Sequence, residues 1–127
     1  MNNQAIASPK APAAVGPYSQ AIRAEGVSIN ISGQLPIDPA TGKFPGDDIE
    51  SQTRQSLTNM KVILEEAGTD MSSVVETTVL LADIADFAAM NAVYSEFFSE
   101  PYPARAAFQV GALPLGARVE IKAVARI

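Results

Sequence analysis

Apolar side chains recur along this chain with two different periods, and the switches between them outline its elements. Near the start, Val27, Ile29 and Ile31 alternate with Ser28, Asn30 and Ser32, the period of two expected of a strand. With the preceding "YSQAIRAEG", this predicts two short strands meeting near Glu25-Gly26. "GQLPIDPATGKFPGD" is dense in Pro, Gly and Asp and predicts a turn-rich connection. The period then lengthens. Ile49, Thr53, Leu57, Met60, Ile63, Leu64 and Ala67 fall at helical spacing, with Asp47 and Glu50 suited to the N-terminal cap and Gly68 to the stop.

"SVVETTVLLAD" is a β-branched run that predicts a strand, and "DFAAMNAVYSEFFSE" predicts a second helix striped by Phe87, Met90, Tyr94, Phe97 and Phe98. Pro101 and Pro103 end it. Two alternating runs close the chain. In the first, Ala106, Phe108 and Val110 oppose Arg105, Ala107 and Gln109; in the second, Val119, Ile121, Ala123 and Ala125 oppose Glu120, Lys122, Val124 and Arg126. They predict a hairpin around a Gly/Pro loop, with Arg105 and Glu120 on the face turned away from its core.

The resulting order is ββαβαββ, an α+β single domain over residues 1–127, with 1–14 expected to be partly irregular. Two amphipathic helices cover only one face of a sheet of about five strands. The other face would carry Leu80 and Val124 beside Ser28, Ser32, Arg105, Glu120 and Lys122. That is too apolar for a solvated surface, so a second subunit is expected to cover part of it.

Composition narrows the chemistry. The chain has no Cys and no His, which excludes disulfides, Cys/His metal sites, thiolate nucleophiles and imidazole bases. Proton transfer must use Asp, Glu, Tyr, Lys, the termini or water. A net charge of -5 without a basic run gives no nucleic-acid footprint. No apolar run approaches the ~20 residues that span a bilayer, and no signal peptide is visible. The expected location is the cytoplasm.

Several residues are candidates for a site. Arg105 follows Pro103-Ala104 at a strand entrance, and its planar fork matches a carboxylate. The plainer reading is a cross-strand ion pair with Glu120, a kind of pair that contributes only about 0–1 kcal/mol when exposed. Glu120, between Val119 and Ile121, is the best candidate base. Tyr18 in "GPYSQ" is a hydroxyl donor or a half-buried aromatic. Ser32 and Gly33 offer a hydroxyl and a backbone amide, or an ordinary turn. Three other patterns are dismissed. "NIS" at Asn30 lies in a strand, "ATGK" lacks the phosphate-loop spacing, and Asp47-Asp48 is a helix start rather than a metal site.

From Ala11 to the C-terminus the chain resembles the Rid (YjgF/L-PSP) family, and within it the RidA-like enamine/imine deaminases. The resemblance rests on "APAAVGPYSQA", "SGQLPIDPATG", "QTRQSLTNMKVILEEAG", "TTVLLADIADFAAMNAVYSEFF", "YPARAAFQV" and "VEIKAVA" in that order. It implies a chorismate-mutase-like two-layer fold, one mixed sheet with both helices on one face, and homotrimers with ligand clefts between subunits. It also implies that Arg105 grips the carboxylate of a 2-imino or 2-keto acid. Glu120, with Tyr18, would place the hydrolytic water, and Ser32, Gly33 and Ala107 would line the cleft.

The implied reaction converts 2-iminobutanoate or 2-iminopropanoate to the keto acid and ammonia, with no metal or organic cofactor. It would protect against reactive intermediates released by pyridoxal-phosphate enzymes. The alternatives are a non-catalytic keto-acid-binding regulator and an RNA-directed endoribonuclease or translation-inhibitor role. Two departures stand out. Ala107 replaces a common Cys at a contact made largely through the backbone, and the "FFSEPYPAR" connection is short.

Overall fold

A computed structural model describes residues 3–127. Six strands and two helices follow one another as β1 (Gln4–Ile6), β2 (Ala21–Arg23), β3 (Ser28–Gln34), α1 (Ile49–Glu66), β4 (Val74–Leu81), α2 (Phe87–Phe97), β5 (Ala104–Gln109) and β6 (Val119–Arg126). Short 3-10 turns precede β4, α2 and β6. The main sheet is mixed, in the order β3-β6-β4-β5, and β1 and β2 form a separate antiparallel ribbon. Of the expected irregular leader, residues 1 and 2 lie outside the described residues, and Gln4–Ile6 is a strand rather than loop. Because β2 pairs with this strand instead of joining the main sheet, that sheet has four strands, not about five.

The expected closing hairpin is absent. Strand β4 lies between β5 and β6, parallel to the first and antiparallel to the second. A parallel pair needs a crossover, which α2 provides between β4 and β5. The edge of β5 facing β4 is thus filled before β6 enters, and β6 takes β4's other side. Residues 110–118 carry the chain across the end of β4, where Ala82 N–H donates to the Arg118 carbonyl at 3.0 Å. Buried Gln52 holds this loop to α1: its Oε1 accepts from Arg118 N–H at 2.8 Å and its Nε2 donates to the Gly46 carbonyl at 2.9 Å.

The first helix caps on Asp48 rather than Asp47. Asp48 has extended backbone and accepts from Ser51 N–H at 2.8 Å, whereas the Asp47 carbonyl takes a hydrogen bond from the Arg118 side chain. At the other end Gly68, at φ 85°, lets Gly68 N–H and Thr69 N–H turn back to the Glu65 and Leu64 carbonyls.

Both helices pack on one face of the sheet. Leu57, Met60 and Leu64 from α1, Met90 and Tyr94 from α2, Val79 and Leu81 from β4, and Val119 and Ile121 from β6 are all fully buried there. Truncating any one of the larger aliphatic side chains would cost about 2–5 kcal/mol. Among the described residues, no helix covers the opposite face. There Glu120, Leu80 and Phe108 fall in one row across β6, β4 and β5, and Phe108 is 46% exposed.

Candidate active site

Arg105 stands at the second position of the edge strand β5, in register with Thr77 of β4. Thr77 is a core residue, so Arg105 lies on the helix-covered face, and Ala107 on the same side packs against the core. This corrects the expectation that Arg105 faces away from the core. The alternation was sound, but its polarity was not: Ala106 and Phe108, the apolar set, occupy the uncovered face. One alanine and one phenylalanine, set against Ala107 on the other side, are too little apolar weight to decide which side of an edge strand is buried.

The second helix supplies the bed on which the guanidinium lies. Phe87, Asn91 and Tyr94 are spaced four and three residues apart and so share one side of α2. Asn91 Oδ1 accepts from Arg105 Nη1 at 2.6 Å. The Arg105 Cζ sits 4.8 Å from the Tyr94 ring centroid, 5.5 Å from that of Phe87 and 5.4 Å from that of Tyr18, within range of attraction between a cation and an aromatic face. Tyr18 reaches the site because the loop carrying it is stitched to the start of β5: Ser19 N–H donates to the Pro103 carbonyl at 3.1 Å, and Ser19 bridges Ala104.

No carboxylate balances this charge. The ion pairs among the described residues are Arg54–Glu96 and Arg118–Asp86. Of the five N–H donors of a guanidinium, one is engaged by Asn91, and the other four have no partner among the described residues. Burial lowers the Arg105 pKa from its ordinary value, opposed by the nearby Tyr94 and Tyr18 rings, but a guanidinium remains a cation at physiological pH. Tyr94 is neutral there too, its pKa pushed up to about 12 chiefly by burial.

Glu120 is elsewhere. It alternates with buried Val119 and Ile121 on β6, which places it on the uncovered face, two strands from Arg105 and on the opposite side of the sheet. The cross-strand pair between the two is therefore absent. Beside Glu120 lies Gly33, where the β3–β6 register shifts between Ile31 and Gln34. The Glu120 carboxylate lies directly over Gly33, in space that a Cβ would fill. A shallow cleft of about 310 Å³ lined by Asn30, Ser32, Gly33, Lys122 and Val124 opens alongside.

The candidate residues thus form two clusters. Tyr18 and Arg105 meet at the β5 edge with Ala107 on the same side of the strand, and Gly33 meets Glu120 on the uncovered face beside the cleft that Ser32 lines. Phe87, Asn91 and Tyr94 were not foreseen as site residues. One signal was present: Asn91 is a polar residue between Phe87 and Tyr94 on a stripe otherwise filled with large apolar side chains. Among the described residues, no three Asp or Glu side chains converge in a way that could hold a metal ion, and no helix is long and apolar enough to cross a membrane.

An uncompensated, pre-oriented guanidinium at the sheet edge of a small α+β domain offers planar N–H donors whose geometry matches a carboxylate. The chain belongs to the Rid (YjgF/L-PSP) family, whose model, described as Endoribonuclease L-PSP, matches residues 8–127. It is 57% identical over 119 residues to the RutC family protein y4sK of Sinorhizobium fredii, covering 94% of each chain. It is 53% identical over 120 residues to the 2-iminobutanoate/2-iminopropanoate deaminase of Capra hircus, covering 94% of this chain and 87% of that one. Among solved structures it resembles TdcF of E. coli with bound serine, at a TM-score of 0.75 and 39% identity, over 98% of both chains.

Proposed function

We propose that the chain is a hydrolytic deaminase of small 2-imino acids and their 2-enamino tautomers, acting on 2-iminobutanoate and 2-iminopropanoate. The reaction is R-CH2-C(=NH)-COO⁻ plus water, giving R-CH2-CO-COO⁻ and ammonia. The observation that carries this reading is Arg105: a half-buried guanidinium, oriented by Asn91 and three aromatic rings, with no carboxylate of its own. Such a group, left unpaired, is suited to a ligand that brings the carboxylate with it. The deaminase of Capra hircus, at 53% identity, supports the same chemistry.

In this reading Arg105 fixes the substrate carboxylate and so aims the C=N carbon. A water held by Glu120, with Tyr18, adds to that carbon, and proton transfer to nitrogen lets ammonia leave as the carbonyl forms. Arg105 and Glu120 lie on opposite faces of one sheet, so one chain does not surround a small substrate with both. A neighbouring copy, docking its uncovered face beside β5, would supply Glu120, Ser32 and Gly33 to the Arg105 of the first. A homotrimer with three shared clefts satisfies that need, and exposed Phe108 and partly exposed Leu80 provide apolar contact for it.

The test is a coupled assay with threonine dehydratase, timing ketobutyrate and ammonia release. Arg105→Ala should lose about 100-fold or more in kcat/KM, as expected for roughly 3 kcal/mol of charge-assisted hydrogen bonding. Arg105→Lys should lose most of the activity, since it keeps the charge without the fork. Near-normal hydrolysis by folded Arg105→Ala would refute the reading. Keto-acid binding by the parent without accelerated ammonia release would leave a binding protein in its place.

A further inference from the structure

Tyr94 is fully buried, and its hydroxyl meets the Thr77 hydroxyl at 2.8 Å, also in the core. A buried phenol needs a hydrogen-bond partner, and Thr77 meets that need. The placement of the pair does more than satisfy a polar group. Thr77 is the residue of β4 in register with Arg105 on β5, and the Tyr94 ring is the nearest of the three aromatic faces to the guanidinium. Phe98 backs Tyr94, ring centroids 4.5 Å apart. Asn91, which holds Arg105 Nη1, lies on the same side of α2 one turn earlier. For a rotamer-rich arginine without a carboxylate partner, Asn91 and the aromatic rings set its plane, and Tyr94 is the nearest of them.

We propose that Thr77 is a positioning residue for the carboxylate site: its hydroxyl pins Tyr94, and the pinned ring, with Asn91, fixes the plane of the Arg105 guanidinium before a ligand arrives. This rests on the reading of Arg105 as a carboxylate-binding group. Holding the fork ready spares the ligand the cost of ordering it, so the effect belongs to affinity rather than to the chemical step. Thr77→Val keeps the side-chain shape, removes the hydroxyl and leaves the Tyr94 O–H buried without a partner. The ring must then tilt to find one, and the guanidinium loses its flat support.

The probe is 2-ketobutyrate, the proposed product, titrated by NMR on the assembled protein, with turnover and Tm measured in parallel. Thr77→Val should weaken binding about fivefold, the loss of one buried hydrogen bond, with kcat changed less than about twofold. Thr77→Ser retains the hydroxyl but loses a methyl group, so it should lower Tm while binding as the parent does. The Arg105 Nε–H resonance, which senses the Tyr94 ring, should move in the Val variant and stay in the Ser variant. Tyr94→Phe should weaken binding as Thr77→Val does, and the double variant should be no weaker than the worse single one.

A merely structural role predicts the reverse, with binding following Tm and Ser the weaker of the two. That result, or parent-like affinity in Thr77→Val, would overturn the proposal. Arg105→Ala separates the two ideas. If it abolishes binding while Thr77→Val is unaffected, only the positioning role fails; if it still binds, the carboxylate reading fails and the positioning role with it.

Discussion

Gly33→Ala isolates the chemistry of Glu120 from the stability of the fold. The Gly33 backbone is outside the left-handed region, so alanine is allowed there. The new Cβ would lie 2.9 Å from Glu120 Cδ, closer than real side chains approach, with the carboxylate oxygen closer still and Cγ in tight contact at 3.1 Å. The obstacle is the free end of a side chain rather than backbone, so Glu120 gives way by changing rotamer at a cost of about 0.5–1.5 kcal/mol. Replacing a strand glycine returns about 0.5–1 kcal/mol through the unfolded chain. These nearly cancel, and a residual of about 1 kcal/mol would move Tm by roughly 4 °C in a domain of this size.

Activity should not cancel in the same way. A displaced carboxylate no longer holds the attacking water, and general acid–base assistance is worth about 10²- to 10⁴-fold. The expected result is a deaminase rate at least tenfold below the parent with Tm within about 4 °C, measured in the coupled assay and by calorimetry. Gly111→Ala is the control, since an added Cβ there meets nothing within 4 Å. Full activity in Gly33→Ala, with a structure showing Glu120 turned away, would refute the role given to Glu120.

Two further outcomes are expected. Sedimentation equilibrium should give about three times 13.3 kDa for the parent, and Phe108→Asp, which charges the uncovered face, should shift it toward monomer and abolish activity; a stable, active monomer would remove the shared cleft. In an ultraviolet difference titration, Tyr94 should ionise near pH 12, and Tyr94→Phe should delete that step. Because the folded pKa lies above the ordinary 10.0, the stability linked to neutral Tyr94 is complete below pH 10 and lost as pH rises toward about 12.

Much of this protein is dictated locally. The helical stripe of α1 and its Gly68 stop follow from side-chain spacing and from the conformation glycine alone takes freely. The outward direction of Glu120 follows as well, because Val119, Ile121, Ala123 and Ala125 form an apolar set strong enough to settle which face of β6 is buried. The ordered motifs from "GPYSQ" to "VEIKAVA" were enough to mark the family.

Partners and polarity were decided only by the tertiary structure. A period of two makes a strand but does not choose its neighbours, so β5 and β6 looked like a hairpin until α2 delivered β5 parallel to β4 and left β6 the other edge. The face of Arg105 was open for a similar reason. Its alanine neighbours bury little area either way, and the choice was made by Asn91, Phe87 and Tyr94 arriving from a helix with no local link to β5. Spacing along a chain reports on one element at a time; a site assembled from a loop, a helix and a sheet edge exists only once packing brings them together.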